Sequence, residues 1–454
     1  MPSAHVGYLV AVPSLIGGSE RNWRGRRERL GLADREVDLV VLVNGFPRLS
    51  ETFVLNELLD FERRGLRLHV VALRRPEEIV QQEALLQLRA PVEYLDDGTP
   101  WSRRVAVRAA HAALFLKRRA SYLDALGDVL RSPDVSRPAL AGGALLAHKL
   151  LRLGSPPLYV HFAHKPGTYG RFAARLAGTP YALSAHAKDI WLTPQPELRA
   201  KASDAAAVLT CTEEARAYVD GLVRGATPVH RVYHGVDVPR MPSRTDRSRT
   251  PVVLAVARLV EKKGMDLLIR AAAQLRARGV EFVVRIAGEG PEWARLQRLA
   301  HELRIADRVT FLGPLTESEV RTEYAQATAF ALPCQILPSG DRDGLPNVLL
   351  EAMAHELPVV STALAGVREA VVHGESGLLV APRDEVGLAD ALERLVLDSP
   401  LRARLGATAR RCVAERFERH ANLPAVHAAL AGAGLIPAMA RSREITTREE
   451  LTAA

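Results

Sequence analysis

The run Asp341-Arg342-Asp343-Gly344-Leu345-Pro346-Asn347-Val348-Leu349-Leu350-Glu351 carries the residue types that a phosphate-and-sugar site needs. Gly344 has no side chain, so a ligand can come close to the backbone. Pro346 suits the first turn of a helix, where its missing N–H is no loss. The amides of Asn347, Val348 and Leu349 then point out of the helix start, whose partial positive charge favours a diphosphate. Glu351 lies one turn further in, spaced to reach a sugar hydroxyl of a nucleotide. Asp343 precedes the turn, where it can grip a second sugar. The same residues also suit an ordinary capped helix with Leu349 and Leu350 facing a core.

Three further stretches carry chemistry-bearing residues at strand ends. Arg258-Leu-Val-Glu-Lys-Lys263-Gly264 follows an apolar run and offers a cation pair. Arginine binds phosphate oxygens as a fork and lysine as a point charge; a solvated basic loop is the plainer alternative. Gly288-Glu289-Gly290-Pro291 follows another strand and can hold a base or ribose, although it lacks the third glycine of a dinucleotide fingerprint. His186 in Ser184-Ala-His-Ala-Lys-Asp189 can bond a sugar hydroxyl or a developing charge. His161 and His164 end the preceding strand, but these histidines have no metal-ligand spacing. Asp341-x-Asp343 also spells a D-x-D metal–nucleotide motif; a helix start that neutralises a diphosphate makes a metal unnecessary, and none is expected.

The elements that must hold these residues alternate in type. Val37–Asn44 is a continuous apolar run, as in a strand buried on both faces. A helix over 51–64 and a strand over 67–73 follow, and further strands are predicted over 158–161, 181–186, 206–211 and 228–233. Residues 239–250, PRMPSRTDRSRT, have no periodicity and read as a linker. A second series then starts, with strands over 251–257, 281–287, 308–312, 327–332 and 358–361. This β-α-β repetition predicts two doubly wound α/β domains with a cleft between the carboxyl ends of their sheets. The expected division is an extension over 1–35, a first domain over 36–238, the linker, and a second domain over 251–410. Helices over 411–440 would pack back toward the first domain, before a flexible tail over 441–454.

Length and composition fit two soluble domains, since 454 residues with 48% hydrophobic content exceed one ordinary core. Cys211, Cys334 and Cys412 are far apart and form no C-x-x-C, which points to a reducing, cytoplasmic compartment. No apolar run reaches the ~18–20 residues of a membrane span. The net charge of +9 is uneven: residues 1–250 hold 36 Lys and Arg against 26 Asp and Glu, and residues 251–454 hold 25 against 26. An anionic membrane, an acidic substrate, nucleic acid or plain solvated arginines all fit that excess. Aromatic content of 5% supplies few stacking residues and argues against nucleic acid. Residues 101–120 combine Trp101, Leu114, Phe115 and Leu116 with Arg103, Arg104, Arg108, Lys117, Arg118 and Arg119. They suit either a helix lying in an anionic interface at the inner membrane face or a packed helix with solvated arginines.

Taken together, these segments resemble the large retaining glycosyltransferase family four, of the GT-B fold. Asp343 and Glu351 match its acidic-x7-Glu motif, VARLVEKKG its G-R-L-x-x-x-K-G segment, and IAGEGPE its (I/V)-x-G-x-G-P-x segment. Residues 361–380 match the segment that follows. Phe46-Pro-Arg48-Leu-Ser50-Glu51-Thr-Phe and HAKDI are similar to the exopolysaccharide and colanic-acid type. The resemblance spans roughly residues 37–430.

It implies a nucleotide diphosphate sugar as donor, a glycan, lipid-linked or small-molecule acceptor, and no cofactor or metal. It implies that Arg258 and Lys263 hold the diphosphate, with Gly344, Leu345, Pro346, Asn347 and Val348 around it. Glu351 would bind the ribose, Asp343 the donor sugar, and His186 that sugar near its C6 hydroxyl. Gly288, Glu289 and Gly290 would line the base pocket, and Phe46, Arg48, Ser50 and Glu51 would face the acceptor. Two departures stand out. Asp343 is shorter than the usual Glu, and Gly45-Phe-Pro-Arg-Leu-Ser replaces the usual Gly-Gly loop. The implied reaction keeps the anomeric configuration by front-face departure, so the protein's part is positioning and charge neutralisation. A nucleotide-sugar epimerase on the same architecture and a basic nucleic-acid-binding protein are the competing readings.

Overall fold

The computed structural model describes residues 37–48, 51–76, 83–95, 100–239 and 250–438. The expected extension, nearly all of the linker, the tail and Ser50 lie outside the described residues.

The first sheet contains β1 (Leu39–Gly45), β2 (Leu68–Arg74), β3 (Val92–Tyr94), β4 (Leu158–His161), β5 (Tyr181–Ala185), β6 (Ala207–Thr210) and β7 (Val229–Arg231). Their order is β3-β2-β1-β4-β5-β6-β7, and all pairs are parallel. The second contains β8 (Val252–Val256), β9 (Val283–Ala287), β10 (Val309–Gly313), β11 (Ala329–Leu332), β12 (Val359–Thr362) and β13 (Leu378–Val380). Its order is β10-β9-β8-β11-β12-β13, again all parallel. Two doubly wound sheets are the architecture that the alternating apolar runs predict. The central runs are fully buried because helices cover both faces. The edge strands β3 and β13 were not predicted. Each has only three residues, too few for a period to show, and β3 is half exposed.

Parallel strands all finish on the same side, so each sheet presents its loops along one edge. The two edges meet. A Cβ on Gly344 would lie 3.4 Å from Cys211 Sγ, and Glu369 accepts both the Glu213 N–H at 2.8 Å and the Tyr233 hydroxyl at 2.7 Å. Arg342 stacks over Trp191 at 4.3 Å and pairs with Glu214 at 3.4 Å.

The chain crosses back near its carboxyl end. The helix Ser399–Arg416 runs through residue 410 and belongs to the second core. Phe417 accepts the Val236 N–H at 2.9 Å, and Val236 in turn accepts the Arg419 N–H at 3.0 Å. The helix Arg419–Gly432 then places Val426, Ala429 and Leu430 in the core beneath the first sheet, with Leu39, Val41 and Leu58.

The long helix Pro100–Leu130 is one element with a kink at Arg118. It sorts the residues of 101–120 by face. Leu114 is fully buried, and Arg118 turns inward to donate to the Ala177 carbonyl. Trp101, Val105 and Leu116 stay exposed. Leu114 and Arg118 therefore do not belong to an interfacial face.

The returning helix makes one prediction about stability. Leu430 is fully buried in the core beneath the first sheet. Leu430→Ala should cost about 2–5 kcal/mol, the usual scale for a truncated core leucine. Chemical unfolding measures this, and a loss under about 1 kcal/mol would mean that the helix is not part of the first core.

Candidate active site

The site is built on three loops of the second sheet. The loop after β8 carries Arg258, Lys262 and Lys263, and that after β11 carries Asp341 and Asp343. Lys262 Nζ lies 2.9 Å from Asp341 and 3.5 Å from Asp343, and Lys263 Nζ lies 2.7 Å from Asp343. Burial works against the Asp343 carboxylate, but Lys263 and then Lys262 outweigh it and hold the acid at about 2. Burial likewise pushes Lys263 down, while Asp343 outweighs that and raises it. Both groups stay charged at neutral pH. The Arg258 side chain is exposed at the mouth of this cluster, while its carbonyl accepts the Val260 N–H at 2.9 Å.

The helix Asn347–Ala354 begins beside them. Pro346 is its cap, not its first-turn residue as expected, with φ −69° and ψ 122°. No side chain caps the helix. Leu349 donates its N–H to the Pro346 carbonyl at 3.1 Å, so it does not point out as predicted. The amides of Asn347 and Val348 have no acceptor among the described residues. Two free amides at an uncapped helix start are a place for an anion. Leu345 is buried in the second core, and Gly344 faces the first domain.

One turn on, Glu351 accepts the Tyr324 hydroxyl at 3.1 Å. Burial raises its carboxyl to about 7, against the lowering effect of that hydrogen bond. Gly288 has φ 125°, and a Cβ there would meet the Ala257 carbonyl at 1.9 Å. The glycine-rich turn is thus pressed against the loop after β8, and Leu259 donates to the Glu289 carbonyl at 2.8 Å. Gly288 and Gly290 are required by this backbone contact. The Glu289 side chain is exposed at the rim.

His186 stands across the cleft, directly after β5. Its ring lies 4.8 Å from Phe53, 4.9 Å from Phe162 and 5.1 Å from His234, by ring centroids. Ser184 Oγ is 3.2 Å from its Nε2. Burial, and then the neighbouring His234 and His161, push its pKa well down, so it is neutral. Asp189 fixes the turn by accepting the His186 N–H at 3.1 Å and the Ala163 N–H at 2.9 Å. Its own carboxyl is raised by burial to about 7.

The expected acceptor residues divide. Phe46 is 3% exposed and packs in the core beneath the first sheet, while its carbonyl accepts the Tyr94 hydroxyl at 3.1 Å. Its side chain therefore cannot face an acceptor. Arg48 and Glu51 pair with each other at 3.0 Å at the first sheet's loop edge.

Several residues escaped the sequence reading. Glu57 is buried, accepts the Tyr159 hydroxyl at 3.1 Å, and has His161 at 3.4 Å and His234 at 3.8 Å. Burial alone would raise its carboxyl, but the two imidazoles hold it well below the usual range. His234 is raised to about 9, because Cys211 and Glu57 outweigh its burial. The signal was present in the sequence: His234 follows a predicted strand just as His186 does. Glu57 sits among Val54, Leu58 and Phe61 on the inward side of its helix, where an acid demands a partner.

Comparison with known proteins places this geometry. The family model for glycosyl transferases group 1 matches residues 240–412. WcaL of Salmonella typhimurium, named as a colanic acid biosynthesis glycosyltransferase, is 30% identical over 391 residues, 83% of this chain and 95% of its own. A mycobacterial protein from Mycobacterium tuberculosis, named as a GDP-mannose-dependent phosphatidylinositol monomannoside mannosyltransferase, is 36% identical over 168 residues, 37% of this chain and 44% of its own. The crystal structure of HepE from Anabaena in complex with UDP and glucose superposes with a TM-score of 0.66 at 20% identity, covering 87% of this chain and all of that one. It shares the fold, two Rossmann-like domains in the GT-B arrangement. On the strength of a relative matched over nearly its whole length, the chain belongs to the glycosyl transferases group 1 family.

Proposed function

We propose that the protein is a retaining hexosyltransferase of the family-four type. It moves a sugar from a nucleotide diphosphate to a glycan, lipid-linked or small-molecule acceptor in exopolysaccharide or other cell-surface glycan synthesis. The observation that carries this reading is the pair of free amides at Asn347 and Val348, beside Arg258 and Lys263 and opposite His186. That is an anion site with a neutral hydrogen-bonding group facing it. The relatives named for colanic acid support the class of pathway, and the UDP-bound neighbour supports a nucleotide sugar as donor.

In this reading the diphosphate rests on the helix start and exchanges with Asp343 for Lys263. Asp343, released, and His186 hold the transferred sugar. Glu351 accepts ribose hydroxyls. As the bond between the anomeric carbon and the phosphate oxygen breaks, the acceptor oxygen attacks from the same face. Its proton passes to the leaving phosphate. No protein nucleophile and no divalent metal are needed, since the amides, Arg258 and Lys263 take up the charge that develops.

Lys263→Ala should weaken binding of the nucleoside diphosphate by roughly 1.5–3 kcal/mol, the scale of charge-assisted hydrogen bonds. Unchanged affinity in calorimetry would remove Lys263 from the site.

Glu351 gives a pH signature. Its carboxyl is raised from 4.5 to about 7, so it is protonated below that pH and a pure acceptor above it. Nucleotide affinity should therefore rise as pH passes through about 7, and Glu351→Gln should weaken binding and flatten the rise. The folded chain holds this proton more tightly than the unfolded chain does. Stability should thus decline as pH climbs from 4.5 to about 7, and the Gln variant should lack that decline. A Gln variant with the parental pH profile would exclude the ribose role.

We also propose peripheral contact with an anionic membrane through the exposed face of Pro100–Leu130. Trp101, Val105 and Leu116 are exposed there, with Arg104, Arg108 and Arg119 around them. No helix among the described residues is long and apolar enough to cross a membrane. Flotation with anionic liposomes should show binding that falls as salt rises. Reversing Arg104, Arg108 and Arg119 to Glu should abolish it. Arg118 is left intact because it holds the Ala177 carbonyl. A chain that stays unbound at low salt would point to a soluble acceptor.

A further inference from the structure

We propose that His186, Cys211 and His234 form a binding site for a zinc-type soft divalent cation, and that filling it closes the cleft to the donor.

The strands β5, β6 and β7 are parallel neighbours, so the residues that follow them emerge along one edge. One ring nitrogen of His186, one of His234 and the Cys211 sulfur all lie within 4.8 Å of one another. A tetrahedral zinc has bonds of about 2.0–2.3 Å, which sets its ligands somewhat closer than that limit. Small side-chain rotations complete the set.

The donor chemistry decides which ion fits. Two imidazoles and a thiolate suit zinc and similar soft ions, whereas magnesium and manganese take oxygen ligands. Protons carried on the ligating atoms of Cys211 and His234 pass to solvent as the ion binds. Three protein ligands leave a fourth position open, as in zinc sites that accept an exchangeable ligand.

The surroundings hold the ligands in place. Glu57 Oε1 lies 3.8 Å from His234 Nδ1, in reach to support a ligating imidazole as a carboxylate does at such sites. Phe53 stacks on the same ring at 4.1 Å. His186 and His234 are each partly exposed, so an ion can enter, while Cys211 forms the floor under Gly344.

A ligating His186 cannot also hold a sugar hydroxyl. The cation therefore competes with the donor sugar. This consequence rests on the proposed function; the binding itself does not.

The test uses full-length, tag-free, metal-stripped protein titrated with Co²⁺. One equivalent should produce a thiolate-to-cobalt charge-transfer band in the near ultraviolet and a visible band of tetrahedral intensity, both bleached by Zn²⁺. Cys211→Ser should abolish the charge-transfer band, His234→Asn should weaken binding at least about tenfold, and Cys412→Ser should change neither. Alkylation of the unmodified chain, read by peptide mass spectrometry, provides a readout that needs no variant: Zn²⁺ should protect Cys211. A cobalt spectrum without the thiolate band, or Cys211 alkylation indifferent to Zn²⁺, overturns the site. With a working donor, Zn²⁺ should inhibit competitively and EDTA should restore turnover. Binding without inhibition would overturn the closure of the cleft. Cobalt binding in a chain inactive toward every nucleotide sugar would instead count against the glycosyltransferase reading and leave the metal site standing.

Discussion

The cleft depends on one cluster of buried charge, in which Lys262 and Lys263 meet Asp341 and Asp343. The two lysines and the two acids come from loops about eighty positions apart in the chain. Their pairing fixes the distance between Lys263 and the start of the helix Asn347–Ala354. Removing one partner would strand a buried charge, which costs far more than the pair gains over an apolar substitute. In the proposed function a diphosphate takes the place of Asp343 on Lys263, one anion replacing another, and frees Asp343 for the transferred sugar.

How much of this was legible in the sequence follows from the range of each interaction. The central strands were legible because burial on both faces writes continuous apolar runs such as Val37–Asn44. The edge strands β3 and β13 were not, since three residues carry no period. The helix start at Asn347 was legible to within one residue; Pro346 is its cap, and the Leu349 amide bonds the Pro346 carbonyl instead of pointing out. Gly288 and Gly290 were recognised as special, but for a ligand; the positive φ and the Ala257 carbonyl behind Gly288 show that backbone contact already demands them. Residues 101–120 were grouped by their order in the chain, whereas the helix separates them by face. Leu114 and Arg118 went inward for that reason. The wall across the cleft was largely illegible. Glu57, Tyr159 and His161, Cys211, and His234 come from four segments, and only the sheet topology makes them neighbours.

That wall explains why His186 is neutral and oriented. Phe53, Phe162 and His234 surround its ring, and Asp189 anchors its backbone. The buried negative charge needed to balance the nearby imidazoles is concentrated on Glu57, one layer behind. Charge is thus kept off the His186 ring and placed on residues behind it.

The two domains are joined by contacts of different strength on their two sides. On one side the chain itself crosses over, with backbone hydrogen bonds between Val236 and residues 417 and 419, and Tyr233 packed on Phe417. Tyr233, Val236 and Phe417 are buried in the second core. On the other side Arg342 meets Glu214 and Trp191 at the rim, where an ion pair contributes about 0–1 kcal/mol. Separation of the sheets therefore costs least at the Arg342 rim and most at the crossover. Gly344 lies between these two sides, against Cys211 and Thr212. The loop that carries Asp343 is consequently seated against the first domain from its Arg342 rim to Gly344.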